Sequence, residues 1–80
     1  MPPWVDPVPA LKRQLADEVL ARIEGQSQMW AAWSMHLSRA RVSEMRRGRL
    51  DRVSLEALVR SLSHLGREIE ITTRTRVRGR

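Results

Sequence analysis

Apolar residues recur every three or four positions along most of the chain. Leu11, Leu15, Val19 and Ile23 are spaced by four, with Leu20 beside them and charged residues on the other face. That is the pattern of an amphipathic helix. The spacing predicts a helix from Ala10, with Gly25 placed to stop it. Ser27 can cap a second helix from Gln28 to about Met35. His36 and Leu37 then make a tight turn. Ser38 can cap a third helix running through Arg47, which Gly48 closes. "LDRV" reads as a connector. Ser54 can cap a fourth helix with Leu55, Leu58, Val59, Leu62 and Leu65 along one face and Gly66 just past its end.

After Gly66 the period changes. In "REIEITTRT", Ile69, Ile71 and Thr73 alternate with Glu68, Glu70 and Thr72, as in a half-buried strand. A lone strand needs partners for its backbone N–H and C=O groups. Antiparallel pairing with the same strand of a second copy would supply them in a two-fold dimer. The alternative is an extended tail packed on its own helices. At the other end, Pro2, Pro3, Pro7 and Pro9 keep the first nine residues extended. The organisation expected is therefore an arm over 1–9, a helical domain over 10–66, a dimerisation strand over 67–74 and a basic tail over 75–80. The fold class is mostly α, with four to five helices and one short C-terminal β-strand paired across a dimer.

Eighty residues suffice for one small domain, whose stability self-association would help. The chain has no cysteine, so it holds no disulfide and no thiolate metal site. No apolar run approaches the roughly 20 residues of a membrane span. "MPPWVDPVP" lacks the basic and apolar regions of a signal peptide. A cytoplasmic, nucleoid-associated protein is expected.

Charge changes the picture most. The net charge is +6, but residues 1–37 carry −1 and residues 38–80 carry +7, with twelve arginines in that second part. Such asymmetry suits a polyanion. Arginine also offers planar, two-point contacts to phosphate or guanine that lysine lacks. A solvated basic surface is the plainer alternative. No Gly-rich phosphate loop, nucleophile elbow or acid–base carboxylate pair appears. His36 and His64 have no cysteine or converging carboxylates around them. The expectation is a protein that is not an enzyme and binds no metal and no cofactor.

Two short helices joined by a tight turn, the second one basic, form a helix-turn-helix. Ala32 is small enough for the second helix of the pair to cross closely. Val42 and Met45 sit one turn apart and would anchor it, with Met35 and Leu37 plugging the turn. At about 100° per residue, Ala40, Ser43, Glu44 and Arg47 then face outward, flanked by Arg39 and Arg41 at the N-terminal end. The arginines thus ring a narrow face of small side chains that could enter a major groove.

Residues 11–71 resemble the XRE-type, lambda-repressor-like helix-turn-helix regulators, and within them the short HigA-like antitoxins. The resemblance rests on "SQMWAAWSMHLSRARVSEMRRGRLDRVSLEAL" and the closing "LGREIEI". It implies that Gln28 holds a phosphate at a helix N-terminus, and that Ser38, Arg39, Ala40, Ser43 and Glu44 read bases. Arg39 would take guanine O6 and N7, Ala40 a thymine methyl, and Glu44 cytosine N4. Glu44 could instead pair with Arg41 or Arg47 on its own helix. Arg41, Arg47, Arg49 and Arg52 suit phosphates, and Ile69, Ile71 and Thr73 the dimer strand.

The chain departs from the family in two places. His36 stands where glycine is usual, and histidine tolerates the left-handed conformation better than most residues. Trp30 and Trp33 stand where polar residues are usual. They pack against the Pro-rich N-terminus, together with Trp4, or they form an exposed patch for a protein partner. The function this implies is a repressor that binds a palindromic DNA operator as a homodimer, and an antitoxin that neutralises a toxin ribonuclease and represses its own operon. The alternatives are a free-standing phage-type or host regulator without a toxin, and an interaction module that only binds a toxin.

Overall fold

The computed structural model describes residues 6–73, and four helices account for most of them: α1 (Val8–Arg22), α2 (Gln28–Met35), α3 (Arg39–Arg46) and α4 (Leu55–His64). Each starts where its sequence allows. The Oγ atoms of Ser27, Ser38 and Ser54 accept from the backbone N–H groups of Trp30, Arg41 and Ala57 at 3.0, 3.1 and 3.0 Å. Each satisfies one donor that a helix start leaves unpaired. α1 begins two residues earlier than the proline pattern suggests, so the extended arm does not reach Pro9. The reason is local. Pro9 falls in the first helical turn, where an N–H would have no helical partner. The Asp6 carboxylate accepts from the Val8 N–H at 3.0 Å. Residues 1–5, with Trp4, lie outside the described residues, as does the 75–80 tail.

α1 packs on α4 and α3, and α2 packs on α3 and α4. The core they enclose is Ala16, Val19, Ile23, Ala31, Ala32, Met35, Val42, Met45, Val53, Leu58 and Leu62. Leu11, Leu15 and Leu20 of the expected α1 stripe are only half-buried, and Ala16 lies deeper than any of them. Val53 is a second addition. It sits in the connector but is buried, its N–H donating to the Leu50 carbonyl at 3.1 Å. The connector is therefore part of the core wall. Lys12 fixes it from α1, its Nζ donating to the Leu50 carbonyl at 3.1 Å. Ser61, the one buried polar residue among the described residues, donates its hydroxyl to the Ala57 carbonyl at 2.7 Å.

Three helices end by the same device. The N–H groups of Leu37, Arg49 and Arg67 reach back to the carbonyls of Ala32, Glu44 and Leu62 at 3.0, 2.8 and 2.8 Å. Each bond needs a left-handed residue just before it. Those residues are His36 (φ 59°), Gly48 (φ 79°) and Gly66 (φ 84°). His36 has a compensation that a glycine would lack. Its ring stacks on His64 at the end of α4, centroids 4.1 Å apart and planes 6° from parallel.

No strand forms among the described residues. Residues 67–73 are neither helix nor ladder, because a ladder needs a second edge and four helices in a single chain supply none. The expected alternation is divided. Ile69 packs half-buried against the core, whereas Ile71 is 67% exposed and Thr73 is exposed. Ile71 lies on the rim of an apolar groove of about 230 Å³ between α1 and α4, lined also by Leu11, Leu15, Leu55 and Val59.

A Cβ added at Gly48 would meet nothing within 4 Å, so a substitution there tests backbone strain alone. Gly48→Ala should lower stability by about 1 kcal/mol. Thermal denaturation followed by circular dichroism should show the midpoint falling by about 4–8 °C for a domain of this size.

Candidate nucleic-acid interface

α2, the His36 turn and α3 form one unit. Ala31 and Ala32 are small and buried, which lets α3 approach α2 closely. Val42 and Met45 fill the space between α3 and the core at 0% exposure. With those two residues inward, the rest of α3 is fixed in rotation. Arg39, Ala40 and Arg47 are exposed, and Ser43 and Glu44 are half-buried between them. Ser38 is exposed at the N-cap, and Arg49 and Arg52 are exposed in the turn and connector that follow. The outward face inferred from the helical wheel is therefore the face that solvent reaches.

The basic residues of this region are not equivalent. Arg41 donates from Nη1 to Glu44 Oε1 at 2.9 Å, one turn along the same helix. Glu44 thus takes up the ion pair with Arg41 rather than standing unpaired. The side chains of Arg39, Arg47, Arg49 and Arg52 make no hydrogen bond or ion pair to protein among the described residues. Arg46 does the opposite. It gives Nη2 to the carbonyls of Ile23 at 3.3 Å and Gln26 at 2.9 Å, and Nη1 to Gln28 Oε1 at 3.2 Å. Gln28 in turn gives Nε2 to the Arg39 carbonyl at 3.1 Å. Gln28, expected at a phosphate, is thus also a bridge between α2 and α3.

Sequence reasoning did not single out Arg46. Its position, one residue past the buried Met45, puts it on the flank of α3 that turns toward α2. Its partners are main-chain carbonyls of a loop, which no side-chain pattern reveals. On the far side of α2, Trp33 is 78%, Met29 61% and Trp30 38% exposed. The alternative, packing of these tryptophans against the Pro-rich N-terminus with Trp4, falls on residues outside the described ones.

A family model described as a helix-turn-helix domain matches residues 9–74. A solved structure of a candidate XRE-family transcriptional regulator superposes with a TM-score of 0.80 at 31% sequence identity, covering 91% of this chain and 84% of that one. The chain is an XRE-family helix-turn-helix protein. No curated protein is similar enough to match it. The XRE fold accounts for the placement of α3, a short helix held across α2 with one side open to solvent. Among the described residues, no group of three or more His, Cys, Asp or Glu side chains could hold a metal ion, and no helix is long and apolar enough to cross a membrane.

The Arg41–Glu44 pair has side chains 43% and 23% exposed, so water screens most of its attraction. Glu44→Gln should change the stability of the free protein by no more than about 0.5 kcal/mol, measured by urea denaturation.

Proposed function

We propose that this XRE-family protein is a sequence-specific transcriptional repressor that binds a palindromic DNA operator. The observation that carries the reading is the solvent face of α3. It offers Arg39 and Ala40 at the helix N-terminus, with Arg47, Arg49 and Arg52 beside them and without protein partners among the described residues. Arg39 would read guanine and Ala40 a thymine methyl, with Ser38 and Ser43 in support. Arg47, Arg49 and Arg52 would hold phosphates, and Gln28 would add one from the start of α2. Arg41 and Glu44 would reach the DNA only by exchanging their mutual ion pair for base or phosphate contacts. The solved XRE-family structure, described as a candidate transcriptional regulator, supports the same reading. On this reading the chain would carry out no catalysis, hold no cofactor and act in the cytoplasm on the nucleoid.

The protein would act as a homodimer on half-sites about one helical turn apart. The exposed Ile71 beside the α1–α4 groove supports an interface there, with residues 67–74 pairing across the two-fold axis through Ile69, Ile71 and Thr73. A finer reading makes the protein the antitoxin of a toxin ribonuclease and the repressor of their shared operon. Its support is the HigA-like sequence pattern and the exposed Met29, Trp30 and Trp33 on α2, a surface that a protein partner could cover.

Binding to the duplex just upstream of its own gene should exceed binding to a scrambled duplex by 10³ or more at physiological salt. Arg39→Ala should lower that ratio about tenfold, read by fluorescence anisotropy at two salt concentrations. Equal binding to both duplexes that collapses with salt would reduce the interaction to phosphate attraction and overturn the reading. Separately, the purified protein should sediment as a dimer, and deletion of residues 68–80 should give monomers. A truncated protein that remains dimeric would move the interface elsewhere.

A further inference from the structure

Arg46 lies near the C-terminal end of α3, yet its contacts reach the other end of that helix. The guanidinium accepts no hydrogen bonds and donates in a fixed planar fork. Here the fork spans three acceptors: the Ile23 and Gln26 carbonyls in the loop between α1 and α2, and Oε1 of Gln28 at the start of α2. The Gln28 amide then closes the circuit by donating Nε2 to the carbonyl of Arg39, the first residue of α3. Four segments meet in this chain of bonds. They are the end of α1, the start of α2, and the two ends of α3.

The polarity of the amide follows from its neighbours. Arg46 can only donate, so the side of Gln28 that faces it must be the carbonyl oxygen. The amino end is therefore turned toward the N-terminus of α3. An amide NH2 has two hydrogens, and the Arg39 carbonyl uses one. The second remains for an anion. Without Arg46 the amide could turn over, and its oxygen would then confront both the Arg39 carbonyl and any phosphate.

We infer that Arg46 is a positioning residue: it fixes α3 against α2 and aims the amino end of Gln28 at the entrance of the reading face. This rests on the DNA-reading function proposed above. Arg46 need not touch DNA to matter for specificity, since a recognition helix displaced by a fraction of an ångström loses the two-point geometry of its base contacts while its charge still attracts phosphate.

The test uses the full chain with three variants: Arg46→Met, which keeps the apolar stem, Arg46→Lys, which keeps the charge, and Gln28→Glu, which keeps the acceptor facing Arg46 but loses the amino end. In the free protein, Arg46→Met and Arg46→Lys should shift the Gln28 side-chain NH2 resonances and change the residual dipolar couplings of α3 relative to α2. Unchanged spectra would overturn the clamp, whatever the DNA result. On the upstream and scrambled duplexes, Arg46→Lys should lower the discrimination ratio about tenfold, whereas Gln28→Glu, which loses a phosphate contact and adds a negative charge, should weaken binding to both duplexes alike. Binding of Arg46→Lys to the scrambled duplex should fall by much less than its binding to the upstream duplex, since the charge is kept. If lysine restores the full ratio, the role of Arg46 is charge alone and the inference fails. If the parent protein does not discriminate between the duplexes, the DNA-reading function fails with its positioning role, while the spectra still decide the clamp.

Discussion

The left-handed turn at His36 is the constraint on which the rest depends. Helices of eight residues are too short to be stable in water on their own. α2 and α3 persist because the chain turns within three residues, 36–38, and lays Val42 and Met45 against the core beside Ala31, Ala32 and Met35. A longer or looser turn would let α3 roll, and each residue of roll is about 100°. Arg39 and Ala40 would then leave the solvent face, and Val42 would enter it. Orientation of the exposed face and burial of the core are thus one requirement, not two. The His36–His64 stack adds a tie from this turn to the end of α4, so the reversal is braced by the helix that closes the bundle.

Much of this was legible in the sequence, because the devices involved are local. Three serines before apolar runs marked three helix starts, and each one caps. Glycines after the runs marked the ends of α3 and α4. The helical wheel through Val42 and Met45 turns Ala40 and Arg47 outward, where they are exposed, while Ser43 and Glu44, expected beside them, are half-buried. What was not legible involves partners distant in the chain or partners that are main chain. Val53 looked like part of a polar connector, since two flanking charged residues, Asp51 and Arg52, hide its role. Arg46 looked like one more arginine in a basic run. The start of α1 at Val8 was masked by the prolines, which break helices everywhere except in the first turn.

The C-terminal segment shows the same limit from the other side. Alternation of Ile69, Ile71 and Thr73 is a property of a strand, but a strand exists only with a second edge. Within one chain the four helices offer none, and the segment divides, Ile69 going to the core and Ile71 to the rim of the α1–α4 groove. A period-two pattern beside a helical bundle therefore reports a face that can be buried.

The arginines carry the deepest consequence. A cluster of like charges on one short helix repels itself, and its compact state must offset that repulsion elsewhere. The chain does so by giving its basic residues different work. Arg46 spreads its charge over two carbonyls and an amide oxygen, where it closes the join between helices. Arg41 is neutralised along its own helix by Glu44. Of the arginines on α3 and in the turn and connector after it, Arg39, Arg47, Arg49 and Arg52 face water with side chains that have no protein partner among the described residues. The net charge alone would describe a surface that attracts any polyanion. The division of roles describes something narrower: an exposed face of α3 that keeps one set of arginines in water, and a join between helices that another arginine holds.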